Sequence, residues 1–232
     1  MGTLAVGGVS ARAMEPNSQR RLLGWWALVG TLSVLGFAAN ASDGEPVRDA
    51  LYHYETAIIG FFFYMVILGL TLVIASGFDP RQAFALRRPT SWGTAIGLAL
   101  GLLVVLFAVA AALEPVFGAG EEQGLDPTGW DPDRAPAFVL NFLLTAGIAP
   151  VVEELLFRGI GFFLLAQFGQ IGAIGVTAIA FALTHGIAAG IPVFFIIGVG
   201  LGFMRSRTKS IYPSVLMHAG FNGIGVIAGL FN

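Results

Sequence analysis

The feature that most constrains this chain is its alternation of long apolar stretches with short clusters of charge. A helix needs about 20 apolar residues to cross the hydrocarbon core of a bilayer. Read on that scale, the sequence predicts spans at Arg21–Ala39, Thr56–Ser76, Gly93–Leu113, Pro136–Phe168, Ile171–Ile187, Ile191–Met204 and Ile211–Leu230. The expected fold class is all-α: a polytopic transmembrane bundle of about seven spans. The fourth stretch is too long for one simple crossing, and Pro150 is expected to kink or break it. The sixth is short and flanked by Gly and Pro, which predicts a tilted or partial span.

Composition bears this out. Only 11% of the residues are Asp, Glu, Lys or Arg, where a soluble domain carries about a quarter. Such a chain lacks the charges to cover a water-facing surface. No cysteine is present, which excludes disulfides, thiol nucleophiles and cysteine-ligated zinc. Residues 1–20 have no sustained apolar core, and Val6 stands where a myristoylation signal wants Ser or Thr. The first span is therefore expected to be retained as an anchor.

Basic residues cluster before the first span (Arg12, Arg20, Arg21), in the second connection (Arg81, Arg87, Arg88) and in the sixth (Arg205, Arg207, Lys209). The first connection (Asp43, Glu45, Asp49, Glu55) and the third (Glu114, Glu121, Glu122, Asp126, Asp131, Asp133) are acidic. Seven spans starting inside place every basic cluster on the cytoplasmic side. The N-terminus is thus expected in the cytoplasm and the C-terminus on the opposite side. The expected organisation is a cytoplasmic segment (1–20), N-terminal membrane helices (21–113), an acidic Gly/Pro-rich loop (114–135) and a membrane core (136–232). Gly93, Gly97 and Gly101, like Gly198 and Gly202, repeat at a spacing that lets helices approach closely in lipid.

Within the spans, beyond the flanking Arg21, the ionisable side chains are Glu153, Glu154, Arg158, His185 and His218. Each charge at the bilayer centre costs at least about 2.5 kcal/mol on insertion scales, so they need partners and a purpose. Glu154 and Arg158 stand four apart with the acid first, the favoured orientation for an intrahelical pair. That leaves Glu153 without an obvious local partner. Phe181 with His185, and His218 with Asn222, also share helix stripes. A hairpin turning near Gly169–Gln170 puts Glu153 and His185 each about 23 Å from the turn, at equal depth. His218 lies shallower on the same count, so the hairpin would have to protrude for all three to meet.

A carboxylate and an imidazole can together orient and deprotonate a water. A second imidazole with a carboxamide four residues on can donate to a developing oxyanion. Alternatively, Glu153, His185 and His218 form the donor set of a catalytic zinc with one open position. Both routes lead to amide hydrolysis. A proton or ion pathway is the main non-enzymatic competitor, and helix-to-helix hydrogen bonding is the structural one.

Three motifs now stand in order on successive helices: Glu153-Glu154-Leu155-Leu156-Phe157-Arg158 (E-E-x-x-x-R), Phe181-Ala182-Leu183-Thr184-His185 (F-x-x-x-H) and His218-Ala219-Gly220-Phe221-Asn222 (H-x-x-x-N). Over about residues 136–230 they resemble the CPBP family of CAAX proteases and bacteriocin-processing enzymes, also called the abortive-infection family, to which the type II CAAX prenyl endopeptidase belongs. The resemblance implies a bundle enclosing a conical, water-filled cavity and proteolysis inside the membrane. It implies that Glu153 and His185 activate water, that His218 and Asn222 stabilise the oxyanion, and that Glu154 and Arg158, with Phe181, support the site. It also implies a membrane-embedded or lipid-modified protein substrate, a prenylated C-a-a-X protein among the candidates. The bilayer is the other expected partner, and no nucleic acid is. Without His-Glu-x-x-His on one helix, water activation without an obligatory metal is the preferred reading over zinc. A non-proteolytic scaffold or immunity protein of the same fold, and a transporter, are the alternatives.

Overall fold

The computed structural model describes residues 16–41, 49–117 and 129–231, with Pro16 and Glu114 described by backbone alone. Arg12, Asp43, Glu45, Glu121, Glu122 and Asp126, which entered the charge pattern above, lie outside the described residues. Every regular element among the described residues is helical. The long helices are α1 (Pro16–Asn40), α2 (Tyr54–Ala75), α3 (Trp92–Phe117), a composite α4 (Pro132–Phe168), α5 (Gln170–Thr184), α6 (Ile191–Thr208) and α7 (Tyr212–Gly229).

All seven expected stretches are helical. Five of them (α1, α2, α3, α4 and α6) are also long and apolar enough to cross a membrane. The α5 helix is only 15 residues long, and α7 interrupts its apolar run with His218, Asn222 and several glycines. Outward faces carry large apolar side chains, among them Ile59, Phe62, Leu100 and Val104. That is the surface a bilayer-embedded bundle presents, because lipid tails are as apolar as leucine.

The sixth span was expected to end at Met204; α6 instead runs on to Thr208. Arg205 is consequently not a loop residue. It is buried, with its guanidinium 5.0 Å above the Phe162 ring. The helix can continue because Arg205 finds partners inside the bundle, and it stops at Lys209 in the left-handed conformation.

The α4 helix departs from regularity twice. A π segment at Leu144–Ile148 immediately precedes Pro150, which sits in the first turn of Ala149–Glu154, where its missing N–H costs least. A second π segment, Leu155–Gly161, contains the sharper break: Gly159 has φ −81° and ψ −105°. A Cβ at Gly159 would collide with the Phe84 ring, and one at Gly161 with the Trp25 indole. The break is therefore also where two aromatic side chains enter.

Glycine spacing divides in two. Gly198 and Gly202 admit α5 closely, with ideal Cβ positions 2.9 Å from Ala178 Cα and 3.2 Å from Ile174 Cγ2. Gly97 and Gly101 face open space, and Gly93 meets only Ser91 Oγ. The expected packing role therefore fails on α3, which lies at the rim of the bundle with Ile96 and Leu100 exposed beside those glycines.

At one end, the connections before α2 and α4 are clasped together. Arg134 pairs with Asp131 at 2.6 Å and with Asp49 at 3.2 Å, and lies 4.5 Å above the Tyr52 ring. The Tyr52 hydroxyl donates to Gly129 O, and Asn141 donates to Leu51 O and His53 O. The acids Asp49 and Asp131, read above simply as loop charges, are thus joined through Arg134.

Candidate active site

The site grows out of the irregular middle of α4. A π turn shifts hydrogen bonding to i→i+5 and leaves carbonyls without their usual helical donors. In lipid such groups need other partners. Three side chains from three helices supply them. Trp25 Nε1 of α1 donates to Leu156 O (3.0 Å), Arg205 Nε of α6 donates to Arg158 O (3.1 Å), and Asn222 Nδ2 of α7 donates to Thr145 O (3.0 Å). These contacts fix α4 rotationally against the bundle and so aim Glu153 and Glu154.

Glu154 and Arg158 are fully buried and paired at 3.1 Å, as their spacing predicted. Arg158 also donates through Nη2 to Gly198 O (2.8 Å) and lies 4.7 Å above the Phe181 ring. Glu154 Oε1 accepts a second bond, from His218 Nδ1 at 3.1 Å. A carboxylate only accepts, so Nδ1 carries the proton and a neutral His218 turns its Nε2 lone pair the other way. That Nε2 lies 3.7 Å from Glu153 Oε2. One imidazole thus stands between the two glutamates.

Straight-helix counting left His218 too shallow to meet Glu153. The two meet because α4 is not straight. Between Glu153 and the turn, the π segment Leu155–Gly161 winds more residues into the same length, and the Gly159 break redirects the chain beyond.

Glu153 itself has a partner the spacing could not show. Tyr64 of α2 donates its hydroxyl to Glu153 Oε1 at 2.7 Å. The Glu153 side chain keeps 16% of its surface accessible, against 0% for Glu154 and 3% for His218. Glu153 is therefore the carboxylate in this cluster that a substrate or water can reach.

His185 directly follows α5, one residue before Gly186 at φ +71°. Its Nδ1 donates to Phe181 O at 2.7 Å, its ring stacks on Phe194 at 4.0 Å, and Glu153 lies within electrostatic reach. Phe181 is the hub of the arrangement, with ring contacts to His185 (4.6 Å), His218 (5.5 Å) and Phe157 (5.5 Å). The loop after His185 is held from α1, where Asn40 Nδ2 donates to Gly186 O at 3.0 Å.

Among the described residues, no three His, Asp or Glu side chains are arranged to hold a metal ion. Nδ1 of His185 is held by Phe181 O and Nδ1 of His218 by Glu154, which leaves Nε2 as the free ring nitrogen of each.

Helices of this length and apolarity, built around buried ionisable side chains, define a multi-pass membrane protein with a polar intramembrane site. Residues 135–224 match the family described as Type II CAAX prenyl endopeptidase Rce1-like. All three motifs lie inside the matched segment. Tyr64, Trp25 and Asn40 lie outside it. No curated protein and no solved structure matches the chain.

Proposed function

We propose that this protein is an intramembrane endopeptidase that hydrolyses a peptide bond of a membrane-embedded or lipid-modified protein, with a prenylated C-a-a-X chain as the first substrate to test. The observation that carries the reading is the state of Glu153. One carboxylate oxygen is held by Tyr64, the other lies 3.7 Å from His218 Nε2, and the group remains accessible from outside the cluster.

A water lying to one side of that gap can hydrogen-bond to both groups. Glu153 would take the proton from the attacking water while His185, oriented by Phe181 O, directs it. The water oxygen would add to the scissile carbonyl. The proton held on Glu153 would pass to the departing amine as the C–N bond breaks. The second N–H of Asn222 is one donor assigned to the oxyanion, and His218 is the other once a proton stands on its Nε2. Glu154 and Arg158 hold His218 in place. Seven crossings with the N-terminus in the cytoplasm complete the proposal, and the charge pattern of the connections supports them.

The test is cleavage of a fluorogenic farnesylated C-a-a-X peptide by the purified chain in liposomes, beside its unprenylated control. Cleavage should disappear in Glu153→Ala and His185→Ala while thermal unfolding stays close to wild type, and it should survive a chelator series. Proton flux abolished by Glu153→Gln, with no peptide cleaved, would establish a transporter instead. Loss of folding in Glu153→Ala with no activity in the parent would establish a scaffold.

A further inference from the structure

A pocket lies away from these residues, at the end of the bundle where α3 and α7 begin. It encloses about 500 Å³, within the range of small-molecule sites. Arg87 and Arg88 line its rim, Trp92 and Tyr212 flank it, and Leu86 and Leu216 form its apolar part. No acid lines it. Arg88 enters no ion pair among the described residues. Arg87 is oriented through Nε, which donates to Lys209 O, leaving the two terminal nitrogens of its guanidinium to face a ligand.

The walls are built rather than incidental. Ser210 Oγ donates to Arg87 O, and Ile211 N donates to Ala85 O at 3.2 Å. These bonds tie the connection before α3 to the turn before α7. The positive end of the α7 dipole adds to the two arginines. Trp92 is the first residue of α3 and Tyr212 the first of α7. Both are aromatic side chains of the kind that settle at headgroup level. Leu216, one turn further into α7, is an exposed apolar side chain.

We infer that this pocket binds an anionic phospholipid, its phosphate held between Arg87 and Arg88 and its acyl chain lying along Leu86 and Leu216. Two cations with no acid in the lining select a negative headgroup, and basic pockets between membrane helices take such headgroups. The graded lining, from guanidinium through aromatic ring to leucine, repeats the polarity profile of a lipid molecule. A soluble anion would satisfy only the rim.

The experiment uses the full chain in a neutral maltoside detergent, titrated with phosphatidylglycerol or phosphatidylcholine and read by native mass spectrometry. Phosphatidylglycerol should be retained over phosphatidylcholine. Arg88→Gln should weaken its binding about fivefold, and Arg87→Gln with Arg88→Gln about 25-fold. Neither change should alter phosphatidylcholine. Trp92→Ala should weaken both lipids. Equal retention of the two lipids by the wild type would overturn the inference. So would Arg88→Gln binding phosphatidylglycerol as the wild type does. Displacement by millimolar inorganic phosphate would show a small-anion site instead. Should the double variant unfold for want of the Arg87 bond to Lys209 O, Arg88→Gln and Trp92→Ala decide the matter, because neither side chain hydrogen-bonds within the described residues.

Discussion

Gly186 is the position where a single methyl group should be most informative. It follows His185, adopts φ +71°, and lies against α1 so closely that an added Cβ would overlap the backbone C, O and Cα of Gly36. In Gly186→Ala two costs combine. A left-handed conformation costs an L-residue about 1–2 kcal/mol. Because the obstructing atoms are backbone, relief requires α1 to move, which breaks the Asn40 bond to Gly186 O at about 1 kcal/mol. Together these predict about 2–3 kcal/mol, or a fall of roughly 4–12 °C in Tm for a chain of this size.

The reciprocal change is milder. A Cβ on Gly36 meets Gly186 Cα at 3.1 Å and Thr184 O at 3.2 Å, without any left-handed penalty. Gly36→Ala should therefore cost only about 1 kcal/mol. The double variant should fall short of the sum, since one displacement of α1 relieves both contacts. Thermal unfolding in a single detergent measures all three. If the enzymatic proposal holds, peptide cleavage should fall about 100-fold in Gly186→Ala, because a misplacement of about 1 Å at a catalytic group has that effect. A Tm for Gly186→Ala within about 1 °C of wild type, or a larger loss in Gly36→Ala, would refute the reasoning.

Tyr64→Phe removes a hydroxyl donor to a carboxylate, a bond worth about 1.5–3 kcal/mol; kcat/KM should fall about 10- to 100-fold with kcat carrying most of the loss, and unaltered kinetics would remove Tyr64 from the site. Glu154→Gln takes the buried partner from both Arg158 and His218 and should cost about 3–5 kcal/mol; pairing it with Arg158→Met should recover much of that stability, as measured by thermal unfolding. The Arg134 hydrogen bond holds the Asp131 carboxyl below its ordinary value, so the clasp's contribution is complete above the ordinary carboxylate range and is lost as pH falls through the lowered folded value. Acrylamide quenching of Trp130, isolated by comparison with Trp130→Phe, should rise only in that acid window, and Asp131→Asn should abolish the pH dependence.

The expected helices were legible because apolar length is an almost unambiguous signal in lipid. The candidate cluster was legible because ionisable residues are costly there: Glu153, Glu154, Arg158, His185 and His218 stood out before any contact was known, and Glu154–Arg158 followed from spacing alone. Tyr64, Trp25, Arg205 and Asn40 were not legible, and they share a reason. None is conspicuous by composition, since a tyrosine or tryptophan in a span, or an arginine near its end, is unremarkable. Tyr64 answers the Glu153 carboxylate, and each of the others answers a local irregularity elsewhere. Trp25 and Arg205 cap carbonyls freed by the second π segment of α4, Asn222 does the same for the first, and Asn40 holds the Gly186 turn. Apolar periodicity carries no mark of a π turn, so neither the freed carbonyls nor their donors could be counted in advance.

The same irregularity explains the depth error at His218. Straight-helix counting separates His218 from Glu153; with the second π segment and the Gly159 break beyond Glu153, His218 Nε2 lies 3.7 Å from the Glu153 carboxylate. A regular α4 would also have satisfied its own carbonyls, leaving Trp25, Arg205 and Asn222 with buried donors and no acceptor. The unwinding of α4 and the polar side chains that face it are therefore one device. The helix gives up its internal hydrogen bonds where the site must be, and three neighbouring helices become attached to it at the same level. Replacing any one of the three donors should loosen α4 as a whole and not merely its own contact, which makes α1, outside the matched family segment, a working part of the site.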